Sequence, residues 1–165
     1  MKKLIIIFIF IPNFLFAGSM KAIGVKGNLE NVDRVIKVSM YDNYYQPNKF
    51  KVKKNETIKF IVQNKGELVH EFNIATKEMH LKHQPEMMMM VENEILLVDK
   101  VDKKKMMEMS KKNPAMAHSH SNSVLLSPGD KAELIWKFSN TVDIEAACNV
   151  PGHYNVGMIA KIDNI

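Results

Sequence analysis

Cysteine is the scarcest reactive residue of this sequence. The 165 residues include a single one, Cys148, so no disulfide can form within the chain. Glycine and proline are also few, with 7 and 6 residues, and 25% of the chain is charged. These proportions exclude a low-complexity or disordered chain, and the length leaves room for one domain rather than a multidomain enzyme.

Positive charge is present but nowhere concentrated. The net charge is +5, and the lysines are spread along the chain with no arginine-rich stripe and no aromatic platform to track phosphates. We therefore expect no nucleic-acid partner.

A long apolar run occurs only at the N-terminus. Two lysines precede residues 4–11, and the small residue Ala17 ends the segment as signal cleavage requires. The run is shorter than the ~20 apolar residues of a membrane span. Leu15 is larger than the usual residue two before a cleavage site, which leaves an uncleaved anchor as the alternative. The sequence predicts a signal peptide at 1–17 and an exported, periplasmic domain at 18–165 that has no membrane span after cleavage.

Short apolar or alternating runs separated by turn signals predict β-strands along most of the chain. They lie at residues 34–40, 50–53, 56–63, 71–76, 124–126, 132–138, 142–147 and 157–162. Since no regular helices alternate with them, we expect an all-β antiparallel sandwich with Greek-key connections.

A segment of different composition interrupts the strands at about 77–122. It is richer in lysine, glutamate and methionine than in strand formers. Within it, residues 101–112 are predicted to be helical, because Met106 and Met109 lie three apart and Pro114 supplies a stop. We expect a partly helical insertion in the sandwich.

One loop near the C-terminus collects three soft or nitrogen donors between two predicted strands. Cys148, His153 and Met158 follow the pattern Cys-x4-His-x4-Met, and a trigonal copper site uses one thiolate, two imidazoles and a weak axial thioether. His70, at the start of a distant strand, can supply the second imidazole. Taken alone, Cys148 is equally well a buried apolar residue and His70 a core histidine. Their joint order favours a metal site, since a free thiol is a liability in an exported protein.

The residues around these donors resemble those of a known family. The run 147–154, Ala-Cys-Asn-Val-Pro-Gly-His-Tyr, and the run 70–72, His-Glu-Phe, are similar to motifs of the cupredoxins, the small blue copper proteins. They look most like rusticyanin-like proteins and periplasmic cupredoxins associated with copper tolerance. The resemblance extends over nearly all of the mature chain and implies a cupredoxin-like sandwich with one mononuclear type 1 copper. It carries the ligand roles to His70, Cys148, His153 and Met158.

One residue departs from the family pattern. Many electron-carrying cupredoxins have Asn or Ser directly after the first histidine, where it ties the ligand loops together, and this chain has Glu71. The resemblance therefore implies neither the spectral type nor the reduction potential. Other classes of copper protein do not fit this chain. A binuclear copper centre needs two cysteines, and the chain has one. Multicopper oxidases and copper nitrite reductases combine several such domains with further histidines, which do not fit within one domain of this length.

The insertion is a second candidate site. It holds 9 of the 13 methionines and 4 of the 6 histidines. Thioethers prefer Cu(I) and imidazoles accept both copper oxidation states, although methionines also fill gaps between helix and sheet. Consecutive residues point to different faces, so Met87 to Met90 cannot all be buried. These side chains are Met79, His80, His83, Met87, Met88, Met89, Met90, Met106, Met107, Met109, Met116, His118 and His120.

The sequence thus predicts a periplasmic copper-binding protein that is not an enzyme. We expect it to cycle between Cu(II) and Cu(I) in electron transfer, copper tolerance or both, with a redox partner protein such as a cytochrome or an oxidase. The alternative is a copper chaperone or buffer whose Met/His-rich insertion captures additional Cu(I). Retention of all four donors argues against a third alternative, a domain that has lost its metal.

Overall fold

Two five-stranded sheets form the frame of the molecule. The computed structural model describes residues 22–139 and 141–165, and the predicted signal peptide lies outside them. The strands are β1 (Gly24–Lys26), β2 (Arg34–Tyr41), β3 (Tyr44–Gln46), β4 (Lys49–Val52), β5 (Thr57–Asn64), β6 (His70–Ala75), β7 (Ser123–Leu126), β8 (Lys131–Phe138), β9 (Glu145–Ala147) and β10 (Ile159–Asn164). Their order is β1-β8-β5-β2-β3 in the first sheet and β4-β10-β9-β6-β7 in the second. The predicted sandwich is confirmed.

The expectation of purely antiparallel pairing is wrong at two places. Strand β2 runs parallel to β5, with Val38 opposite Val62, and β4 runs parallel to β10, with Phe50 opposite Ile162. The short connection 53–56 carries the chain from the second sheet to the first instead of closing a hairpin. Each of its flanking strands therefore pairs with a strand distant in sequence.

The main core lies between the two sheets. Along β5 the buried residues alternate with partly exposed ones, as expected for a strand with one face on the core. Phe60 of β5 contacts Phe72 of β6 and Phe50 of β4, with ring centroids 5.3 and 5.8 Å apart. Cys148 and Met158 belong to the same buried cluster, so the core extends directly to the C-terminal loop.

The insertion between β6 and β7 contains two helices, α1 (Lys77–Glu92) and α2 (Lys103–Ser110). Helix α2 confirms the predicted helical segment, with Asp102 as its N-cap. Helix α1 begins after Thr76, whose hydroxyl accepts from the amide of Met79 at 3.2 Å. Helix α1 is not among the elements predicted from the sequence, because Pro85 within it is a residue that normally ends a helix.

A second, smaller core holds the insertion to the sandwich. Its members are the buried side chains Val69, Met87, Met90, Ile95, Leu96, Val101 and Met116. Most of them come from the insertion, so the helices have an apolar core of their own beside the main one. No helix within residues 22–139 and 141–165 is long and apolar enough to cross a membrane.

Candidate metal centre

Antiparallel pairing of β6 with β9 brings the first histidine to the C-terminal loop. Asn73 of β6 lies opposite Ala147 of β9, so the start of β6 lies beside the residues that follow β9. His70 is the first residue of β6 and Cys148 the first after β9, and both are fully buried. The register of two strands therefore places two donors that are far apart in sequence next to each other.

The backbone of the loop fixes the other two donors. The amide of Cys148 donates to the carbonyl of Met158 at 3.2 Å, and the amide of Met158 donates to the carbonyl of His153 at 3.0 Å. Gly152 and Gly157 have φ of 88° and 89°, in the left-handed region that a side chain disfavours. These two glycines allow the chain to turn twice within eleven residues.

Three of the four predicted ligands converge on one point. The sulfur of Cys148 lies 3.4 Å from Nδ1 of His153 and 4.0 Å from Nδ1 of His70. Metal–sulfur and metal–nitrogen bonds of ~2.3 and ~2.0 Å in a trigonal plane would separate these atoms by about 3.7 Å. We call these three side chains, with Met158, the thiolate centre; its donors fit a soft or borderline ion such as copper.

The fourth predicted ligand, Met158, is fully buried in the main core beside Cys148. Its carbonyl accepts from the amide of Cys148 and its amide donates to the carbonyl of His153, so the backbone holds Met158 beside both of these ligands. Burial raises the pKa of the Cys148 thiol to about 12. Since a thiolate is the ligand form, a positive ion must supply the free energy that holds this buried sulfur ionised.

A carboxylate outside the predicted set orients His70. Oδ1 of Asp42 lies 2.9 Å from Nε2 of His70, so Nε2 carries the hydrogen and Nδ1 is left to face the sulfur. Asp42 also accepts from the amides of Glu67 and Leu68, at 3.1 and 3.2 Å. Burial would raise the pKa of Asp42, but the bond to His70 and these amides lower it. Asp42 is thus held as an anion behind the ligand.

Glu71, the departure from the family pattern, is a fully buried acid. Its amide donates to the sulfur of Cys148 at 3.3 Å, and Oε2 accepts from the side-chain amide of Asn149 at 2.7 Å. Burial would raise the pKa of Glu71, but His118 and His83 lower it well below its usual range. Glu71 therefore ties the ligand loops together and also reaches into the insertion.

The histidines of the insertion form a second group of donors. His83, Glu86, His118 and His120 each offer one atom, and all four atoms lie within 4.8 Å of one another. We call this group the histidine cluster. His83 and Glu86 share one face of α1, whereas His118 and His120 follow the 3₁₀ turn 114–117.

The distances within the histidine cluster match those around a coordinated ion. Nε2 of His83 and Nε2 of His118 lie 3.2 Å apart, and they lie 3.3 and 3.1 Å from Oε1 of Glu71. Tetrahedral bonds of ~2.0–2.1 Å would separate ligand atoms by about 3.3 Å. On the other side, Nε2 of His120 lies 2.8 Å from Glu86. The donor atoms of His83, Glu86, His118 and His120 therefore lie close enough for one ion, and Glu71 borders this group through His83 and His118.

Charge within the histidine cluster is strongly coupled. Burial alone would lower the pKa of His83, but hydrogen bonds to Glu71 and Glu86 raise it to about 10. Burial would likewise raise the pKa of Glu86, but His120 and His83 lower it to about 2. Two acids and at least one cationic imidazole thus meet at the insertion, an arrangement in which a metal ion replaces protons.

Most methionines of the insertion are separated from this group by their packing. Met87, Met90 and Met116 are buried in the second core, whereas Met88 is 46% exposed. This division agrees with the expectation that four consecutive methionines cannot all be buried. Met79 differs, because it lines a cavity of about 100 Å³ together with His83, Glu86 and His120. Met79 therefore places a thioether on the wall of the histidine cluster.

The family model that describes the cupredoxin-like domain matches residues 5–101, more than half of the sequence. The chain belongs to the cupredoxin-like family. Its membership confirms the resemblance that the C-terminal motif and the His70 segment indicated.

Curated relatives carry one name. The copper-resistant cuproprotein CopI of Pseudomonas aeruginosa is 35% identical over 148 residues, which cover 86% of this chain and 82% of that protein. The proteins of the same name from Rubrivivax gelatinosus and Vibrio cholerae are 27% and 30% identical over 84% and 68% of this chain, and over 71% and 53% of their own lengths.

Solved structures agree in fold. Reduced auracyanin from the photosynthetic bacterium Roseiflexus castenholzii has a TM-score of 0.56 at 15% identity, over 81% of this chain and 98% of that one. Auracyanin B has a TM-score of 0.59 at 12% identity, over 86% and 96% of the two chains. At these identities the likeness shows the sandwich alone.

Proposed function

We propose that this cupredoxin-like protein binds copper at the thiolate centre and acts in copper tolerance outside the cytoplasm, in the periplasm. The observation that carries the proposal is the convergence of the His70, Cys148 and His153 donor atoms within 4.8 Å. The name of the relatives, copper-resistant cuproproteins, supports the role, and the signal-like N-terminus supports the location.

At this centre the bound copper would supply a one-electron couple. The chain contributes a rigid set of donors on two strand ends and one hydrogen-bonded loop, so the ligands move little when the oxidation state changes. Asp42 orients the ring of His70 and the amide of Glu71 binds the sulfur, two contacts of the kind that tune a copper potential. Transfer of one electron by copper requires no substrate bond to be made or broken, and we therefore propose a carrier or binder rather than an enzyme.

The surface beside His153 supports a redox partner protein. His153 is only partly buried and borders a depression of about 220 Å³ with mostly apolar walls. The walls are Leu68, Val91, Leu96, Leu97, Val98, Val150 and Pro151. An apolar surface next to a partly exposed ligand suits brief contact with a cytochrome or an oxidase at short electron-transfer distance, and neither a nucleic acid nor a membrane span enters the proposal.

The histidine cluster favours a second candidate function, copper capture by the insertion. Three imidazoles and the carboxylate of Glu86 suit Cu(II), and the thioether of Met79 on the cavity wall adds a soft donor for Cu(I). In this version the protein binds two copper ions, one at each centre, and buffers copper as well as carrying electrons.

Copper quantification combined with the visible absorption spectrum tests both versions. One copper per chain with an intense thiolate-to-copper band supports the carrier, and a second copper without a thiolate band supports the added buffer. Stoichiometric Cu(II), after oxidation of the sample, without any such band would contradict the thiolate centre. Copper sensitivity of cells that lack the protein tests the role in tolerance, and fractionation of cells tests the periplasmic location.

A further inference from the structure

Glu71 contacts both groups of donors. Its backbone amide lies 3.3 Å from the sulfur of Cys148. At the other end, Oε1 lies 3.1 Å from Nε2 of His118 and 3.3 Å from Nε2 of His83. The two groups are therefore separated by the atoms of a single residue.

Glu71 is also linked to the thiolate centre through Asn149. Oε2 of Glu71 accepts from both the backbone and the side-chain amide of Asn149, at 3.3 and 2.7 Å, and Asn149 is covalently joined to Cys148. Tyr45 fixes the backbone of Glu71 from the opposite side, since its hydroxyl donates to the Glu71 carbonyl at 2.6 Å. Because all of these groups are buried, water does not screen a change of charge at the carboxylate.

We propose that Glu71 couples the two centres, so that a metal ion in the histidine cluster raises the reduction potential of copper in the thiolate centre. The inference rests on the proposed function, since it requires copper at Cys148 and an ion at the histidine cluster. Glu71 acts as a positioning residue, through the sulfur of Cys148 and the imidazoles, and is not required as a ligand of either ion.

The direction follows from charge and hydrogen bonding. A divalent ion at His83 and His118 displaces the proton of His83, so the positive charge beside the Glu71 carboxylate rises by one. This added charge withdraws electron density from the carboxylate and makes the Glu71 amide a stronger donor to the sulfur of Cys148. A stronger hydrogen bond to a thiolate sulfur and a nearby cation both stabilise the reduced, less positive copper. Occupancy of the cluster therefore favours Cu(I) at the thiolate centre.

Zn(II) is the probe, because it has no redox chemistry of its own and prefers nitrogen and oxygen donors of this kind. The protein is loaded with one copper per chain and titrated with one equivalent of Zn(II), while bound zinc, the thiolate-to-copper band and the potential are measured. Copper at the thiolate centre resists displacement, since divalent copper binds more tightly than zinc. We expect the band to shift and the Cu(I) to Cu(II) ratio at fixed potential to rise about tenfold, which is about 59 mV for one electron.

Glu71→Gln separates coupling from binding, since it keeps the amide and the side-chain shape but removes the charge. We expect this variant to bind zinc through His83, Glu86, His118 and His120 with a much smaller potential shift. Glu78→Gln, on the exposed face of α1 beside Lys82, is the matched control and should shift as the unaltered protein does.

Three outcomes overturn the inference. Zinc that binds without changing the band or the potential shows two independent centres and leaves the proposed function intact. If zinc shifts the copper potential of Glu71→Gln as much as that of the unaltered protein, the coupling does not run through the Glu71 carboxylate. Failure of zinc to bind at all removes the second site itself, and with it the buffering version of the proposed function.

Discussion

The thiolate centre and the histidine cluster lie side by side but are built in opposite ways. The thiolate centre takes its donors from a strand start and one backbone-bonded loop of the sandwich, and three of its four donor side chains are fully buried. The histidine cluster takes its donors from one helix and from the segment after a 3₁₀ turn. The sandwich thus supplies a rigid site of soft donors, and the insertion adds an accessible site of imidazoles and carboxylates.

The largest expected effect separates the two groups completely. Cys148→Ser removes the only thiolate of the chain, so the intense thiolate-to-copper absorption should vanish. The histidine cluster has no thiolate and should still bind an ion. Absorption spectra and metal analysis of the same sample check both halves, and survival of the band would show that the assignment of Cys148 is wrong.

The converse change removes the cluster and spares the thiolate. The double substitution of His118 and His120 by alanine should abolish a second metal equivalent and leave the visible spectrum intact. Met88→Ala is the control, since this side chain lies on the same helix and is 46% exposed. The number of Cu(I) ions bound is measured by titration against a competing chelator. If Met88→Ala also lost the second Cu(I), the thioethers rather than the imidazoles would be the principal donors.

Orientation of His70 gives a smaller effect confined to the thiolate centre. Asp42→Asn keeps the shape but weakens the hydrogen bond to Nε2, and loss of such a partner typically lowers metal affinity 10–100-fold. We expect copper affinity to fall by about this factor, measured by competition. Asp163→Asn, in an exposed ion pair with Lys49, is the control; an equal fall there would mean that general charge is responsible.

Proton competition distinguishes the histidine cluster by pH. Burial opposes it, but Glu71 and Glu86 raise the pKa of His83 to about 10, so this imidazole is protonated at neutral pH and must lose its proton to bind an ion. Apparent Zn(II) affinity should therefore rise with pH by about tenfold per unit for this one proton and level off above about pH 10. His83→Gln should lose that part of the slope, and an unchanged slope would exclude His83 as a ligand.

The weakest expected effect lies at the axial position. Met158→Leu should leave copper bound while the colour and the potential change, because an axial thioether is a weak ligand that tunes the site. Spectroscopy and voltammetry measure both. Complete loss of copper would make Met158 a principal ligand and contradict the trigonal arrangement.

The sequence was most informative where donors are close together in the chain. The spacing of Cys148, His153 and Met158, with the alternation of the strands around them, predicted the loop and the sandwich. Asp42 could not be found in this way, since its contact with His70 depends on how β2, β3 and β6 are arranged in space. Glu86 had a readable signal, its position three residues after His83, but that signal counts only once residues 77–92 are recognised as a helix.

The insertion and the sandwich have separate apolar cores, and Val150 packs partly against both. Elements that do not share one core tend to open independently, each with its own free energy. The insertion can therefore exchange its amide hydrogens faster than β5 or β8 while the sandwich remains closed. Val150 lies two residues after Cys148. A local opening of the helices would therefore remove packing contacts from the loop that carries the thiolate.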